Sequence, residues 1–544
     1  MKQKKTFKKT NREERKKRSG EAALRQNKVM RLLKKGQTGL RAVLFSRLGL
    51  ITLLLALQIL LLLGVLYKLS SLAPYYAGAA SLLVAVMGLW LVNSSLEPAG
   101  KLTWMAIIAV MPVFGALLYL YTELDIGHRA LSRRVQQLQR QTENLLVQDE
   151  SVLQALRQKQ PRAAAMTRYV AKSGCYPVYQ NTRVRYHASG EEKFAALLRE
   201  IEKAERFIFL EYFIVAEGEM WGSILQLLAE KAAAGVDVRV LYDGSCEFTT
   251  LPHDYPARLA ELGIKAKMFA PARPFVSTHY NYRDHRKIAV IDGHTAFTGG
   301  VNLADEYINR LQKYGHWKDT AVMLKGDAAR SLTLLFLQMW NLDERQGEFE
   351  RFLLPQQADV HSEGFVMPFG DCPLDSYKTA QQVYLDLLYR AERYVHIMSP
   401  YLIIDSDMEA ALQYAASRGV DVKLMLPAIP DKWVAHALAR GHYPALIGAG
   451  VKIYEYTPGY VHAKQFIVDG REAVIGTVNL DYRSLWHHYE CAVWLYETPC
   501  IADMERDFQQ TLTLCAQVTP QTIAVQRRSI RLLGKILKVF APLL

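Results

Sequence analysis

Two distant stretches of this chain carry the same pattern of side chains, and this repetition limits the fold more than any other feature. "HRKIAVID" begins at His285 and "HAKQFIVD" at His462; in each, a Lys lies two residues after the His and an Asp five residues after that Lys. A pair of small residues and an Asn follow both, as "GGVN" at 299–302 and "GTVN" at 476–479. Because chance does not reproduce such spacing, we expect two copies of one folding unit.

The segments that precede the two motifs also match in order and in wording. Each half has an apolar run, a helical stretch that leads through Gly-Val into a second run, and a third run. These segments lie at 204–215, 228–243 and 262–270, and again at 391–403, 412–427 and 449–456. Strand, helix and strand in this order is typical of βαβ units. We therefore predict an α/β fold of two tandem α/β sandwich repeats, residues 176–350 and 351–544, that form one catalytic body.

The positive charge of the chain is concentrated at its N-terminus. The net charge is +14, and residues 1–47 hold 17 Lys and Arg against three acidic residues, so the remaining sequence has equal numbers of both signs. A body without net charge argues against a nucleic-acid partner, because nucleic-acid-binding proteins need a basic surface. The tail 1–47 is predicted to be cytoplasmic and to act either by attraction to anionic lipid or as a signal for membrane topology, since an apolar run follows it directly.

Residues 48–121 are predicted to be a transmembrane and re-entrant region. Leu48–Tyr67 has no charge and is long enough to cross a bilayer as a helix. Two further apolar runs follow at Tyr75–Val92 and Leu102–Tyr121, and the last contains Pro112 and Gly115. Both flanks of the region are basic, which favours an even number of crossings with the third run re-entrant or interfacial. Three full crossings stay open on the sequence alone.

The segment before the first predicted repeat and the end of the second are both predicted to be helical. Residues 122–175 lack proline over most of their length and are predicted to form a helical linker. The C-terminal "RRSIRLLGKILKVFAPLL" mixes basic and apolar residues at helical spacing. It is expected to form an amphipathic helix that lies on anionic lipid or packs on the body. The six cysteines include no C-x-x-C pair, which indicates reduced thiols.

The duplicated motif suits chemistry on phosphate. A strand places residues i and i+2 on one face, so the His and Lys of each copy point the same way. Lys supplies charge to phosphate oxygens, Asn supplies neutral donors, and imidazole can attack phosphorus or protonate an alkoxide. The predicted catalytic residues are His285, Lys287, Asp292, His462, Lys464 and Asp469. Asn302 and Asn479 are predicted to bind the substrate phosphate. No metal-ligand cluster accompanies the motif, so we expect neither a metal nor another cofactor.

Each histidine also needs an acceptor that orients its ring. Asp319 in "GHWKDTAVML" and Glu490 in "HHYECAVWLY" both stand at the start of apolar, strand-like runs. We predict that Asp319 orients His285 and that Glu490 orients His462. Either acid could instead be an ordinary residue at a strand edge.

The paired motif resembles that of the phospholipase D superfamily, HxKxxxxD followed by GGxN or GSxN, from about Tyr176 to the C-terminus. The stretches "NYRDHRKIAVIDGHTAFTGGVNLADEYIN" and "AGVKIYEYTPGYVHAKQFIVDG" are similar to those of bacterial cardiolipin synthases. So are the apolar N-terminal region and the ending "FAPLL". Asp284 stands where the family favours Asn, and Thr477 stands where Ser is common.

The resemblance implies an activity and a place for it. It implies a phosphohistidine intermediate, with His285 as the nucleophile and His462 as the general acid and base. The implied reaction transfers a phosphatidyl group between two phosphatidylglycerols and gives cardiolipin and glycerol. The implied location is the bacterial cell membrane. The basic flanks of the apolar region separately predict several crossings and a cytoplasmic catalytic body.

Other functions stay open at this point. The same intermediate attacked by water would make the chain a phospholipase D-type hydrolase that gives phosphatidic acid. A nuclease is disfavoured by the neutral body. A non-catalytic membrane scaffold is disfavoured because His, Lys, Asp and Asn are intact in both copies.

Overall fold

The computed structural model describes residues 73–94, 96–123, 126–270, 282–344, 347–353, 362–524, 534 and 536–543. The predicted tail 1–47 and the apolar run Leu48–Tyr67 lie outside the described residues. All six cysteines lie within them and are free thiols, as the sequence predicts.

The second and third apolar runs form three helices. The second lies in α1, Ala73–Asn93, and the third is divided between α2, Pro98–Val110, and α3, Pro112–Glu123. Pro112 begins α3, since proline lacks the N–H that would continue α2. At Gly115 a methyl group would lie 2.9 Å from Cα of Ile108, so glycine lets the two helices come close. The third run is thus a helical hairpin. No helix in the described part of the chain has the length and apolarity needed to cross a membrane.

The segment predicted as a helical linker is helical and packs on the body. It consists of α4, Ile126–Thr142, α5, Glu150–Lys159, and α6, Pro161–Gly174. One side of each helix enters the main hydrophobic core through Leu138, Leu156 and Val170, which are at most 1% exposed. Burial of these apolar side chains holds the segment against the body and makes it part of the folded unit.

The first repeat is built on a mixed sheet of seven strands in the described residues, in the order β1-β9-β7-β6-β2-β3-β4. The strands are β1 Thr182–His187, β2 Phe207–Tyr212, β3 Asp237–Asp243, β4 Lys265–Phe269, β6 Lys287–Ile291, β7 Thr295–Gly299 and β9 Ala321–Gly326. Its helices are α7 Gly190–Lys203, α8 Glu219–Ala233, α9 Cys246–Thr249, α10 Tyr255–Ala260 and α11 Ala329–Trp340. Two short strands, β5 Arg283–Asp284 and β8 His316–Lys318, stand outside this sheet.

The second repeat has the same strand order, β10-β19-β17-β16-β11-β13-β14, with β20 added at one edge. The strands are β10 Phe365–Asp371, β11 Tyr394–Met398, β13 Asp421–Pro427, β14 Lys452–Tyr456, β16 Gln465–Val468, β17 Glu472–Gly476, β19 His488–Tyr496 and β20 Cys515–Gln517. Three short strands are β12 Leu402–Ile403, β15 Gly459–Val461 and β18 Leu480–Asp481. The helices are α12 Thr379–Arg390, α13 Ser406–Ser417, α14 Trp433–Gly448, α15 Cys500–Leu512 and α16 Pro520–Ala524. The equal order of the strands confirms the predicted duplication.

One hydrophobic core joins the two sheets. Helix α11 lies within it and is buried almost throughout, with Phe336 stacked on Phe209 of β2 at a ring-centroid distance of 4.5 Å. Leu335 of the same helix lies against Gly370 of β10, where a methyl group would come within 2.7 Å of it. The apolar surface shared in this way makes the repeats one rigid unit.

The repeats also exchange strands. Short β5 of the first repeat pairs in parallel with the start of β19 of the second, with Arg283 opposite His488. Short β15 of the second repeat pairs in parallel with β8 of the first, with Gly459 opposite His316. Each exchanged strand leads directly into a motif histidine, so each histidine is carried to the opposite repeat.

Replacing Gly459 by Ala should weaken this junction. A methyl group there would lie 2.3 Å from the carbonyl oxygen of His316 and 2.4 Å from its amide nitrogen. We expect the free energy of unfolding to fall by about 1–3 kcal/mol, the usual cost of forcing atoms into a packed site. Denaturant unfolding measures it. Gly448→Ala is the control, because nothing lies within 4 Å of a methyl group at that position. Equal stability of the two variants would contradict a tight junction at β15.

Candidate active site

Each motif histidine is hydrogen-bonded to an acid of the other repeat. Nδ1 of His285 lies 2.8 and 3.0 Å from the two carboxylate oxygens of Glu490. Nδ1 of His462 lies 2.7 Å from Oδ2 of Asp319. The predicted pairing of Asp319 with His285 and of Glu490 with His462 is therefore wrong: the two acids are the partners, but they are exchanged. A carboxylate at Nδ1 holds the proton there, which leaves the lone pair on Nε2.

The exchanged strands explain the crossed pairs. His285 follows β5, and its backbone N–H donates to the carbonyl oxygen of Tyr489 in β19 at 3.0 Å, one residue before Glu490. His462 follows β15, and its backbone N–H donates to the carbonyl oxygen of Lys318 in β8 at 2.7 Å, one residue before Asp319. Backbone pairing thus fixes which acid each ring can reach.

The histidines, lysines and orienting acids form one buried group. His285 and His462 are 6% and 8% exposed, and the two lysines and two acids are 1% or less. Nζ of Lys287 donates to the carbonyl oxygen of His285 at 2.5 Å. Nζ of Lys464 lies 2.9 Å from Nδ1 of His462 and also donates to the carbonyl oxygen of that residue. Each lysine is thus held beside the histidine of its own motif.

Burial and mutual repulsion set the pKa of these groups. Burial, then the charges of Lys287 and Lys464, hold the pKa of His285 well below its ordinary value. Burial, then Lys464, lower the pKa of His462 to about 4, although Asp319 opposes them. Burial also lowers the pKa of Lys287 to about 8 and that of Lys464 to about 7. Both histidines are therefore neutral at pH 7, and a lysine of the other repeat helps to lower the pKa of each.

The small residues after each motif contact the orienting acids differently. At Gly300 a methyl group would lie 2.0 Å from Oδ1 of Asp319 and 2.8 Å from the carbonyl oxygen of His462, so glycine is required. At the corresponding position Thr477 donates its hydroxyl to Oε2 of Glu490. The departure from Ser at this position thus keeps a hydroxyl donor to the acid that orients His285.

The two asparagines predicted to bind phosphate also form hydrogen bonds within the protein. Oδ1 of Asn302 accepts the backbone N–H of Ile214 at 3.0 Å, and its Nδ2 donates to the hydroxyl of Tyr307 at 2.7 Å. Nδ2 of Asn479 donates to Oδ2 of Asp481 at 3.1 Å. Since an amide nitrogen has two N–H groups, these bonds leave each asparagine one donor for a ligand.

The two motif aspartates, predicted to be catalytic, are not in the histidine cluster. The carboxylate of Asp292 accepts the backbone N–H groups of residues 205–207 at 2.7–2.9 Å. That of Asp469 accepts those of residues 392–394 at 2.7–2.8 Å. Each follows its motif strand, at the end far from the lysine. Both were predicted to be catalytic, but the strand that follows each lysine carries its aspartate to the far end, where it binds backbone N–H groups instead of the histidines.

Asp284, the other departure from the family pattern, lies in a buried charged group next to the site. Its Oδ1 accepts the backbone N–H of Arg286 at 3.3 Å, and Nη1 of Arg286 lies 3.8 Å from Oε1 of Glu211. Burial raises the pKa of Asp284 to about 7, although Arg286 opposes it. Burial thus favours the neutral form of this carboxyl group more than water does.

Aromatic rings pack on both histidines, and sequence reasoning missed them. His285 contacts the rings of Phe213 and His488 at centroid distances of 4.9 and 5.3 Å. His462 contacts those of Trp317 and Tyr307 at 5.3 and 5.4 Å. These rings restrict the two imidazoles and exclude water from one side of each.

Two of these rings hold equivalent places in the repeats. His488 precedes Glu490 by two residues, and Trp317 precedes Asp319 by two. Alignment of "HWKD" with "HHYE" would have found both, since strands that hold corresponding acids also hold corresponding neighbours. The site therefore contains a third buried histidine, on the side of His285.

Two like α/β units that each bring a His-Lys pair to one buried site define a phospholipase D-like enzyme. The family described as cardiolipin synthase, PLD-like domain, matches residues 197–340 and 384–512. A cardiolipin synthase of Geobacillus kaustophilus is 34% identical over 462 residues, 82% of this chain and 89% of that protein. An uncharacterized protein of Streptococcus mutans is 50% identical over 456 residues, 84% of this chain and 99% of that protein.

A solved structure has the same fold. The crystal structure of phosphatidylserine synthase from Haemophilus influenzae matches with a TM-score of 0.54 and 15% identity, over 70% of this chain and 98% of the other. The family match and the sequence relatives identify the family of this chain, and the solved structure agrees in fold. It belongs to the cardiolipin synthase family of the phospholipase D superfamily, and it is a phosphatidyltransferase.

Replacing Asp292 by Ala should destabilise the fold because three backbone N–H groups lose a charged acceptor. We expect the free energy of unfolding to fall by about 2–4 kcal/mol, and denaturant unfolding measures it. Asp503→Ala is the control, since Asp503 is 55% exposed and forms a surface ion pair worth about 0–1 kcal/mol. Loss of activity at unchanged stability would contradict the structural role.

Proposed function

We propose that this phosphatidyltransferase is a membrane-bound cardiolipin synthase that uses two molecules of phosphatidylglycerol and a phosphohistidine intermediate. Its products are cardiolipin and glycerol. The observation that supports it most is the crossed, buried pairing of His285 with Glu490 and of His462 with Asp319. This pairing supplies two neutral imidazoles with different partners, in a chain whose named relatives are cardiolipin synthases. The reaction exchanges one phosphodiester for another, so it needs no energy source and no cofactor.

The first step forms the intermediate. Nε2 of His285 attacks phosphorus, the bond from phosphorus to the headgroup glycerol oxygen breaks, and His462 gives its proton to that oxygen. The lysines hold the non-bridging oxygens, and the remaining amide donors of the asparagines support them. Glycerol leaves, and the phosphatidyl group stays on His285.

The second step uses the same groups in reverse. His462 takes the proton of a hydroxyl on the second phosphatidylglycerol, and the freed oxygen attacks phosphorus. The bond from phosphorus to Nε2 breaks, and cardiolipin leaves. Glu490 stabilises His285 while its ring carries charge, and Asp319 does the same for His462.

His462 takes up its proton from solvent when the substrate binds. Burial and Lys464 lower the pKa of His462 to about 4. An anionic phosphodiester between the lysines offsets their charge and raises this pKa. His462 can therefore act as an acid only while substrate is bound.

The N-terminal helices suit the delivery of lipid to this site. Helices α1, α2 and α3 expose Leu82, Leu89, Leu102, Val110 and Leu117, each more than 60% accessible. Beside α2, a small apolar cluster of Leu438, Tyr482 and Ala541 packs against Ala99. Since Tyr482 follows Asn479 by three residues, the exposed apolar helices sit next to a loop of the active site. An apolar face there favours lipid that stays in the bilayer.

The membrane arrangement is part of the proposal. We assign residues 1–47 to a cytoplasmic tail, 48–121 to the membrane region, 122–175 to the segment that joins it to the body, and 176–350 and 351–544 to the repeats. The enzyme then lies in the bacterial cell membrane with several crossings, its body faces the cytoplasm, and anionic lipid is its partner. The C-terminal residues 536–543 also contact the body, since Nζ of Lys538 lies 3.0 Å from Oε2 of Glu409.

Purified full-length enzyme in detergent should convert phosphatidylglycerol to cardiolipin and glycerol in equal amounts, with a chelator present. Lipid mass spectrometry and a glycerol assay measure the products. We expect His285→Ala to lose activity by a factor on the order of 10⁴ or more, and His253→Ala, whose side chain is 88% exposed, to keep it. Phosphatidic acid without cardiolipin would replace the proposal by a hydrolase.

The crossed pairs predict which variants an activated substrate rescues. With p-nitrophenol in place of the headgroup glycerol, the leaving group needs no proton, so His462 and Asp319 become dispensable in the first step. We expect Asp319→Asn to lose about 10²–10⁴-fold with phosphatidylglycerol and to recover with phosphatidyl-p-nitrophenol. Glu490→Gln should stay impaired with both, because it acts on the nucleophile.

Release of nitrophenolate measures the first step. His462→Ala is the control for a variant that the activated substrate rescues, and His285→Ala is the control for a variant that stays impaired. If Asp319→Asn follows His285→Ala and Glu490→Gln follows His462→Ala, the assignment of roles fails.

A further inference from the structure

We infer that His285, His488 and Glu490 form a binding site for a divalent transition-metal ion, and that the ion switches the enzyme off. One nitrogen of each histidine and one oxygen of the carboxylate all lie within 4.8 Å of one another. All three side chains are buried. The inhibition, but not the binding, rests on the proposed function of His285 as the nucleophile.

Of the three ligands, His488 is the one whose ring nitrogens are left unpaired. It is 7% exposed, and neither ring nitrogen has a hydrogen-bond partner among the described residues. Nδ1 of His488 lies 3.8 Å from Oε1 of Glu490, beyond hydrogen-bond distance. Its ring packs beside that of His285 at a centroid distance of 5.3 Å. A buried imidazole without a partner is costly, and a metal ion between it and Glu490 would satisfy it.

The equivalent place in the other repeat shows what His488 adds. There Trp317 packs on His462 at the same centroid distance, 5.3 Å. Tryptophan fills the place and shields the histidine, yet it offers no lone pair to an ion. Packing alone therefore does not require a histidine at 488, and the two His-acid pairs differ in that one has a third ligand.

The ligand set selects the class of ion. Two imidazoles and a carboxylate suit Zn²⁺, Co²⁺ or Ni²⁺, whereas Mg²⁺ prefers oxygen ligands and keeps its waters. The buried charges of Lys287 and Lys464 oppose any dication. They disfavour a weakly binding ion most, so a transition metal is the ion that the site can hold.

Binding would remove the nucleophile through a change of tautomer. Without an ion, the carboxylate of Glu490, 2.8 Å from Nδ1 of His285, favours the tautomer with its proton on Nδ1 and its lone pair on Nε2. An ion bound at Nδ1 takes the place of that proton, and the neutral ring then carries its proton on Nε2. No lone pair is left to attack phosphorus, so the ion blocks the first step without occupying the phosphate site.

The test uses Co²⁺ as a spectroscopic probe and Zn²⁺ as an inhibitor of the full-length enzyme. Metal-free enzyme is titrated with Co²⁺ and its visible ligand-field bands are recorded, while calorimetry with Zn²⁺ gives affinity and stoichiometry. His488→Asn removes the third ligand. His487→Asn is the matched control, because it makes the same change one residue away, outside the cluster. Circular dichroism checks that both variants fold.

We expect one ion per chain in the unmodified enzyme and in His487→Asn, and affinity at least about tenfold weaker in His488→Asn. Zn²⁺ should inhibit turnover in parallel, and Mg²⁺ should not. Equal affinity in His488→Asn, or no bound Co²⁺ in the unmodified enzyme, would overturn the site. Inhibition that does not track binding would leave the site standing and overturn its effect on His285.

A crystal of the unmodified enzyme soaked in Zn²⁺ gives a test that needs no variant. Anomalous scattering should place the ion about 2.0–2.2 Å from Nδ1 of His285, a ring nitrogen of His488 and an oxygen of Glu490. An ion bound elsewhere, with none at these three atoms, would overturn the proposal. Because position and affinity are read without turnover, failure of the proposed lipid reaction would be distinguished from failure of the metal site.

Discussion

The hydrogen bond from each motif histidine to an acid of the other repeat is the interaction on which the rest of the site depends. His285 with Glu490 and His462 with Asp319 are both within 3.0 Å and both buried. These bonds set the tautomer of each ring, which decides which nitrogen faces the substrate. Short strands exchanged between the repeats hold the histidines at these acids, so the backbone pairing of the strands determines the geometry of the site.

Burial gives the site its electrostatic character. Two lysines, two histidines and two acids lie together with almost no exposed surface. In such surroundings charge is costly, so burial holds the pKa of His285 well below its ordinary value, and lowers that of His462 to about 4 and that of Lys464 to about 7. An arriving phosphate anion relieves this repulsion. The free energy stored by placing like charges together is thus available for substrate binding.

The fold was predictable from the sequence because both repeats give the same signals in the same order. The duplication, the α/β class and the residues that meet at the site follow from spacing, since a strand fixes the direction of residues i and i+2. The partners of the histidines were not predictable. Alignment tells where Asp319 and Glu490 stand within their repeats, but the pairing depends on β5 and β15 crossing to the other repeat. Asp292 was misassigned for a related reason: membership in a motif does not imply contact, and strand β6 carries it to the far end.

The crossed pairs also bear on how the enzyme is made. The first repeat leaves the ribosome with His285 and Lys287 but without Glu490, which lies near the C-terminal end of the second repeat. Until that strand is synthesised and β5 pairs with it, the imidazole of His285 lacks the acceptor that fixes its tautomer. A nascent or truncated first repeat therefore lacks the hydrogen bond that orients the ring of His285. The topology makes synthesis of the second repeat a condition for an assembled site.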